Sequence, residues 1–374
     1  MEHSLATTPL VSIVLGTRPE AIKLAPVIMS FKKCTVLRTR TIFTGQHREM
    51  VNQVMKLFEI NPNKDLALMV PNQTLTYITS AILEKLKHDF LIHRPNLVLV
   101  QGDTTTAFAS ALAAFYEQIP IGHIEAGLRT NNICDPFPEE GNRCLISQLA
   151  NLHFSPTIQS AANLRASGVT GEIHVTGNTI VDALLLMANK RIRCTVAGLD
   201  WEKYKVILVT LHRRENWGTP LRDIISGLLK LLEIHSNIAL LLPLHKNPIV
   251  RKSLKNRLEN HPRAFLVEPL TYDKLVAAIR DCTLILTDSG GIQEEAPTFG
   301  KPVLILRRTT ERLEAVERGT AHLIGTSVVD IIRETSLLLN NPKAFDTVPQ
   351  SHNPFGDGQA SNRILAASRA FLNC

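Results

Sequence analysis

Aromatic residues are scarce, at 5% of the 374 residues. Basic runs interleaved with aromatics, the mark of single-stranded nucleic-acid binding, are absent. The formal net charge of +7 is scattered along the chain, with no block of five like charges. Scattered charge leaves no nucleic-acid footprint, so a solvated surface or an anionic small ligand accounts for it better. The six cysteines (34, 134, 144, 194, 282, 374) form no CxxC pair and match no histidine at zinc spacing. They read as buried thiols in a reducing compartment, with no metal site. No apolar run reaches the ~18 residues of a membrane helix. The N-terminus carries Glu2 and lacks a basic segment, and the apolar run from Leu10 to Leu15 is too short for a secretory signal. The expectation is a cytosolic protein with no membrane and no nucleic-acid partner. Three motifs are missing as well. There is no G-x-G-x-x-G after either leading strand, no P-loop and no G-x-S-x-G elbow. Tight NAD or FAD binding is therefore not expected, and no cofactor is called for.

What is present is strand–helix alternation. Apolar residues make up 44% and charged residues 20%, and at ~100–200 residues per domain the length predicts two domains. VSIVLG (11–16) reads as a strand buried on both faces. Further strands are predicted around 36–43, 97–100, 120–124, 151–155 and 172–176, and helices over 19–33, 74–92, 104–117 and 138–150. The pattern restarts with strands at 205–212, 238–245, 264–269, 283–288 and 302–306, and a helix at 221–235. The predicted class is α/β, with two Rossmann-like parallel-sheet domains and an interdomain cleft. The boundary is set near 178, giving residues 1–178 and 179–358.

Open α/β sheets bind ligands beyond the carboxyl ends of their strands. Five polar segments fall there: GTRPE (16–20), QGDTTT (101–106), HIEAGLRT (123–130), TLHRREN (210–216) and TDSGGIQEE (287–295). In the last, Ser289, Gly290 and Gly291 let backbone N–H groups approach a phosphate, with Glu294 and Glu295 one turn on; a capped helix start is the plain alternative. Asp103, Glu125 and Glu139 are the acid–base candidates, since carboxylates at strand ends are suited to proton transfer. For Asp103 and Glu139 helix capping competes with that role. His212 ends a strand, where it can meet a phosphate or protonate a leaving group; a structural histidine is the alternative. Arg18 offers side-chain contact to a phosphate, and Glu311 and Arg312 follow the strand at 302–306.

These segments, with TGQHREM, FPEEGNR, VTGNTIVDAL, GKPVL, TTER and NPFGDGQASNRI, run nearly the whole length. In them the chain closely resembles the non-hydrolysing UDP-N-acetylglucosamine 2-epimerases. The resemblance implies a GT-B-like fold in which residues 359–374 pack back on the first domain. It also implies a homodimer and reversible inversion at C2 of UDP-GlcNAc to UDP-ManNAc through 2-acetamidoglucal. By the same resemblance Asp103, Glu125 and Glu139 are acid–base carboxylates and His212 contacts the leaving diphosphate. Arg18, Lys23 and Arg143 are basic residues of the site, Ser289, Gly290 and Glu295 belong to the nucleotide turn, and Arg312 adds a ligand contact. Gln46 and His245 match a regulatory UDP-GlcNAc site of bacterial members, although Asn72 stands where those members often have an arginine. Gln101, Arg308, Leu313 and Leu275 also depart from the common pattern, and none of them removes a predicted acid or base. Competing activities are an epimerase on a related UDP-acetamido sugar or uronic acid, the hydrolysing branch, a GT-B glycosyltransferase, and a non-catalytic UDP-sugar sensor.

Overall fold

The structure is a computed structural model that describes residues 8–46, 48–70, 73–310, 312–341 and 353–374. Asn72 and Glu311 lie outside the described residues. The chain divides into two compact units, Met1–Ala183 with Phe355–Cys374, and Leu184–Pro354.

The first unit holds a seven-stranded parallel sheet. Its strands are β1 (Leu10–Leu15), β2 (Arg38–Phe43), β3 (Lys64–Asp65), β4 (Leu97–Gln101), β5 (Ile121–Ile124), β6 (Leu152–Ser155) and β7 (Glu172–Val175). Their order is β3-β2-β1-β4-β5-β6-β7. Between them run α1 (Arg18–Lys33), α2 (Arg48–Leu57), α3 (Leu75–His93), α4 (Thr105–Tyr116), α5 (Glu139–Leu149) and α6 (Ile158–Ala166), and α7 (Thr179–Asn189) follows β7. All six side chains of β1 are buried, as a strand covered on both faces requires. Ile78, Ile82, Leu86 and Phe90 recur every fourth residue along α3 and form its buried stripe. That stripe shares a core with the small residues Ala107, Ala109, Ala111, Ala113 and Ala114 of α4 and with Val98 and Val100 of β4.

The second unit repeats the plan with β8 (Lys205–Thr210), β9 (Ile238–Pro243), β10 (Ala264–Val267), β11 (Leu284–Thr287), β12 (Val303–Ile305) and β13 (Ala321–Leu323). The order is β10-β9-β8-β11-β12-β13. Its helices are α8 (Thr219–Ile234), α9 (Pro248–Leu258), α10 (Tyr272–Asp281), α11 (Gly290–Glu295), α12 (Leu313–Glu317) and α13 (Val328–Asn340). Alternate residues Leu240 and Leu242 of β9 pack with Ile207 and Val209 of β8 and with Leu221, Ile224, Leu228 and Leu231 of α8. The last helix, α14 (Ala360–Phe371), belongs to the first unit and packs on α1. Ser30 Oγ of α1 and Asn362 Oδ1 of α14 are 3.1 Å apart.

In each sheet the strand order reverses direction at one place, between β1 and β4 in the first unit and between β8 and β11 in the second. Strand ends at such switch points leave a crevice, where open α/β sheets place their ligands.

Candidate active site

The turns after β1 and β4 are tied together at the first switch point. Glu20, 1% exposed, accepts the backbone N–H of Gly16 at 2.9 Å and of Thr17 at 2.6 Å on one oxygen. Its other oxygen accepts the Thr104 hydroxyl at 2.6 Å. Burial pushes the Glu20 carboxyl above its ordinary value, against these donors, which favour the charged form. Thr104, not Asp103, caps α4, through the N–H of Ala107. Asp103 is thereby spared the capping role and turns to Arg143: Nε lies 2.8 Å and Nη2 2.7 Å from its Oδ2. Arg143 also holds the buried Glu140 at 2.7 Å, and Asn142 Nδ2 donates to the Asp103 carbonyl at 2.8 Å.

Glu125 stands just past β5 in the left-handed region, at φ 64°. Its carboxylate, 8% exposed, receives Lys23 Nζ from α1, Gln101 Nε2 from β4 and Asn178 Nδ2 at 3.2 Å. Three donors from three segments keep a nearly enclosed carboxylate solvated by protein. A Cβ added at Gly102 would meet Glu125 Oε2 at 3.5 Å. The β4 turn that carries Asp103 therefore runs directly beside the Glu125 carboxylate. Glu139 opens α5 as its first residue, with Pro138 rather than a polar side chain preceding it. Arg18 opens α1. Gln46 accepts the Thr106 hydroxyl at 2.7 Å.

In the second unit His212 follows β8, with its Nδ1 2.9 Å from Asp288 Oδ1. The His245 ring lies 5.7 Å from that of His212. Burial and then the charge of His212 hold the His245 imidazole below its ordinary value. Ser289 is the N-cap residue of α11, and its N–H donates to Thr287 Oγ1 at 2.9 Å. A Cβ at Gly291 would meet only Ser289 Oγ, at 3.9 Å; packing within the chain does not require glycine there, and the space above the backbone is open. Glu294 is bound by Arg312, with Nε at 2.9 Å and Nη2 at 2.8 Å. Arg312 is thus joined to α11, and Glu295, 5% exposed, is enclosed at the end of that helix. Among the described residues no group of three or more His, Cys, Asp and Glu is placed to hold a metal ion, and no helix is long and apolar enough to cross a membrane.

The sequence singles out Asp103, Glu125, Lys23 and Arg143, and the first unit pairs Asp103 with Arg143 and Glu125 with Lys23 on neighbouring turns. It does not single out Glu20, Gln101 and Asn178 as partners, nor Asp288. Glu20 has a legible signal, three residues after Thr17 at a helix start. Asp288 sits at the end of an apolar strand, as Asp103 nearly does, and that placement could have marked it.

Two Rossmann-like parallel-sheet units with polar residues at their switch points define the GT-B-like class of α/β proteins. Within that class the match is specific. The family model described as UDP-N-acetylglucosamine 2-epimerase matches residues 30–369, and the chain belongs to that family. The chain is 47% identical over 364 residues to a UDP-N-acetylglucosamine 2-epimerase of Escherichia coli O157:H7, covering 95% of this chain and 96% of the relative. It is similar, with a TM-score of 0.89 and 43% identity, to the crystal structure of the Neisseria meningitidis UDP-GlcNAc 2-epimerase bound to UDP-GlcNAc; the likeness covers 96% of this chain and 100% of the other. A Methanocaldococcus jannaschii UDP-GlcNAc 2-epimerase, in complex with UDP-GlcNAc and UDP, matches with a TM-score of 0.79 at 33% identity, over 96% of this chain and 99% of that one.

Proposed function

We propose that the protein reversibly converts UDP-GlcNAc to UDP-ManNAc by eliminating UDP to 2-acetamidoglucal and adding it back. The observation that carries this reading is the arrangement of carboxylates in the first unit. Glu125 is held by Lys23, Gln101 and Asn178, and Asp103, held by Arg143, lies on the turn that runs beside it. The substrate class is supported by the two solved relatives described as binding UDP-GlcNAc.

The C2 proton of the sugar is not adjacent to a carbonyl, so direct removal is slow. As the C1–O bond breaks, its electron pair leaves with UDP and positive charge grows at C1. C2–H becomes acidic, a carboxylate takes the proton, and the C1–C2 double bond forms. In the return step a proton reaches the opposite face of C2 and UDP oxygen re-forms the bond to C1. Two faces call for more than one acid–base group, and we assign Asp103, Glu125 and Glu139 to that task. Arg18, Lys23, Arg143 and His212 meet the charge that develops on the diphosphate. Ser289, Gly290, Glu295 and Arg312 hold the nucleotide. Gln46 and His245 are assigned to a regulatory UDP-GlcNAc. A homodimer in the cytosol completes the reading. The six cysteines, all free thiols, accord with a reducing compartment.

The test is incubation with UDP-GlcNAc in D₂O, followed by NMR. Deuterium at C2 and the appearance of UDP-ManNAc are expected; absence of both sinks the reading. Asp103→Asn and Glu125→Gln are each expected to lower turnover about 10²–10⁴-fold while UDP binding, measured by calorimetry, survives. Near-normal rates in both variants refute their assigned roles.

A further inference from the structure

His212 and Asp288 meet across the second switch point. Asp288 has no exposed surface, and its carboxylate is held by more than the imidazole. The backbone N–H of His212 lies 3.0 Å from each of its oxygens. The N–H of Arg213 and the Asn216 side-chain amide each donate to Oδ2 at 3.0 Å. Asn216 is in turn fixed by donating to the Leu306 carbonyl at 3.1 Å. Burial alone would push the Asp288 carboxyl up. The donors and the charge of His212 outweigh it and hold the carboxyl below its ordinary value.

We infer that Asp288 is a positioning residue for the reaction: it fixes the His212 ring with the proton on Nδ1 and leaves Nε2 as the nitrogen that meets a phosphate oxygen. An ionised carboxylate only accepts hydrogen bonds, so the nitrogen 2.9 Å from it must carry the proton. The backbone donors from His212 and Arg213 make the carboxylate immobile, and the carboxylate in turn locks the ring that follows β8. With both nitrogens protonated, one ring donates to Asp288 on one side and to a diphosphate oxygen on the other, and the buried carboxylate compensates the added charge. The neighbouring imidazole is also in a defined form. His245 Nδ1 accepts the Asn247 N–H at 3.2 Å, which puts its own proton on Nε2. This inference rests on the reading of His212 as a partner of the leaving diphosphate.

The decisive measurement is the tautomer. In protein labelled with ¹⁵N-histidine, the two-bond ¹⁵N–¹H spectrum of His212, assigned by its loss in His212→Gln, is expected to show Nδ1 protonated when the ring is neutral. A neutral ring protonated on Nε2 in the unaltered protein overturns the inference without any variant. In Asp288→Asn the amide oxygen can still accept the backbone N–H groups, but its NH₂ faces the ring and cannot accept from Nδ1. The proton is then expected to move to Nε2, and kcat to fall about 10²–10⁴-fold with far less change in KM. A folded Asp288→Asn protein with an unmoved proton and an unchanged kcat overturns the inference as well. His212→Gln with near-normal turnover would instead remove the diphosphate role of His212 and leave the tautomer result standing.

Discussion

His123 on β5 and His153 on β6 face each other in register, and neither has exposed surface. His123 Nε2 lies 2.8 Å from the Gly102 carbonyl, in the turn that carries Asp103. Burial lowers each imidazole from 6.5 to about 4. Both are therefore neutral in the folded protein at neutral pH. In the unfolded chain each takes up a proton near 6.5. Between pH 6.5 and about 4 the unfolded state binds more protons, so stability falls as pH drops through that window and rises as pH increases. At about 1.4 kcal/mol per pKa unit, His123 alone is expected to contribute roughly 3 kcal/mol to this loss. Urea midpoints measured from pH 7 to pH 4 check it, and a flat profile speaks against neutral buried rings. His153→Gln is expected to flatten the slope. At this scale the candidate acids were legible together with their charged partners Lys23 and Arg143, and the neutral partners were not. Asp103 and Glu125 stand in polar islands after apolar strands. Gln101 and Asn178 reach Glu125 only after segments 24 and 53 residues apart meet, and Glu20 meets Thr104, beside Asp103, across 84 residues.

At the scale of the element, the last helix depends on one buried carboxylate. Asp182 in α7, 4% exposed, accepts the backbone N–H of Ala360 at 3.2 Å and that of Ser361 at 2.8 Å. The Ser361 hydroxyl adds a third donor at 2.7 Å. The N-terminal N–H groups of α14, which no residue within the helix can satisfy, thus find their acceptor in a different helix. Burial pushes the Asp182 carboxyl above its ordinary value despite these donors. Asp182→Ala is expected to cost about 1–3 kcal/mol and to raise amide hydrogen exchange over residues 360–371 more than elsewhere. Uniform exchange across the unit would show that the anchor is not local. Element legibility follows periodicity. Continuous apolar strands and long helices such as α3 and α4 fall within a residue or two of the predicted bounds. β3, with two residues, is too short to announce itself. α2 is a different case. Val51, Val54, Met55 and Phe58 are all buried at helical spacing, so its signal was present but was overshadowed by the polar motif at its start. α6 follows its N-cap Thr157, whose side chain accepts the Ser160 N–H, but it lacks a wide apolar stripe.

For the whole molecule, the net charge of +7 and a diphosphate ligand make a joint prediction. The proposed UDP site exists only in the folded chain. At a concentration about 100 times its dissociation constant UDP is expected to add about 2.7 kcal/mol of stability. Differential scanning fluorimetry should show a rise in Tm with UDP that shrinks with added salt, because ionic strength screens the attraction. A shift of equal size with uridine alone would mean that the phosphates contribute nothing. The fold class is legible because both halves repeat one pattern, and the repetition survives any single misread element.

The order of residues along the chain and the order of parts in space do not coincide. Phe355–Cys374 follows the second unit along the chain, yet it belongs to the first unit. All strands of the second unit are synthesised before that segment, whereas the first unit lacks the helix that packs on α1 until residues 360–371 have been made. Removing residues 355–374 therefore acts on α1 and α7 of the amino-terminal unit rather than on the unit that precedes them in the chain.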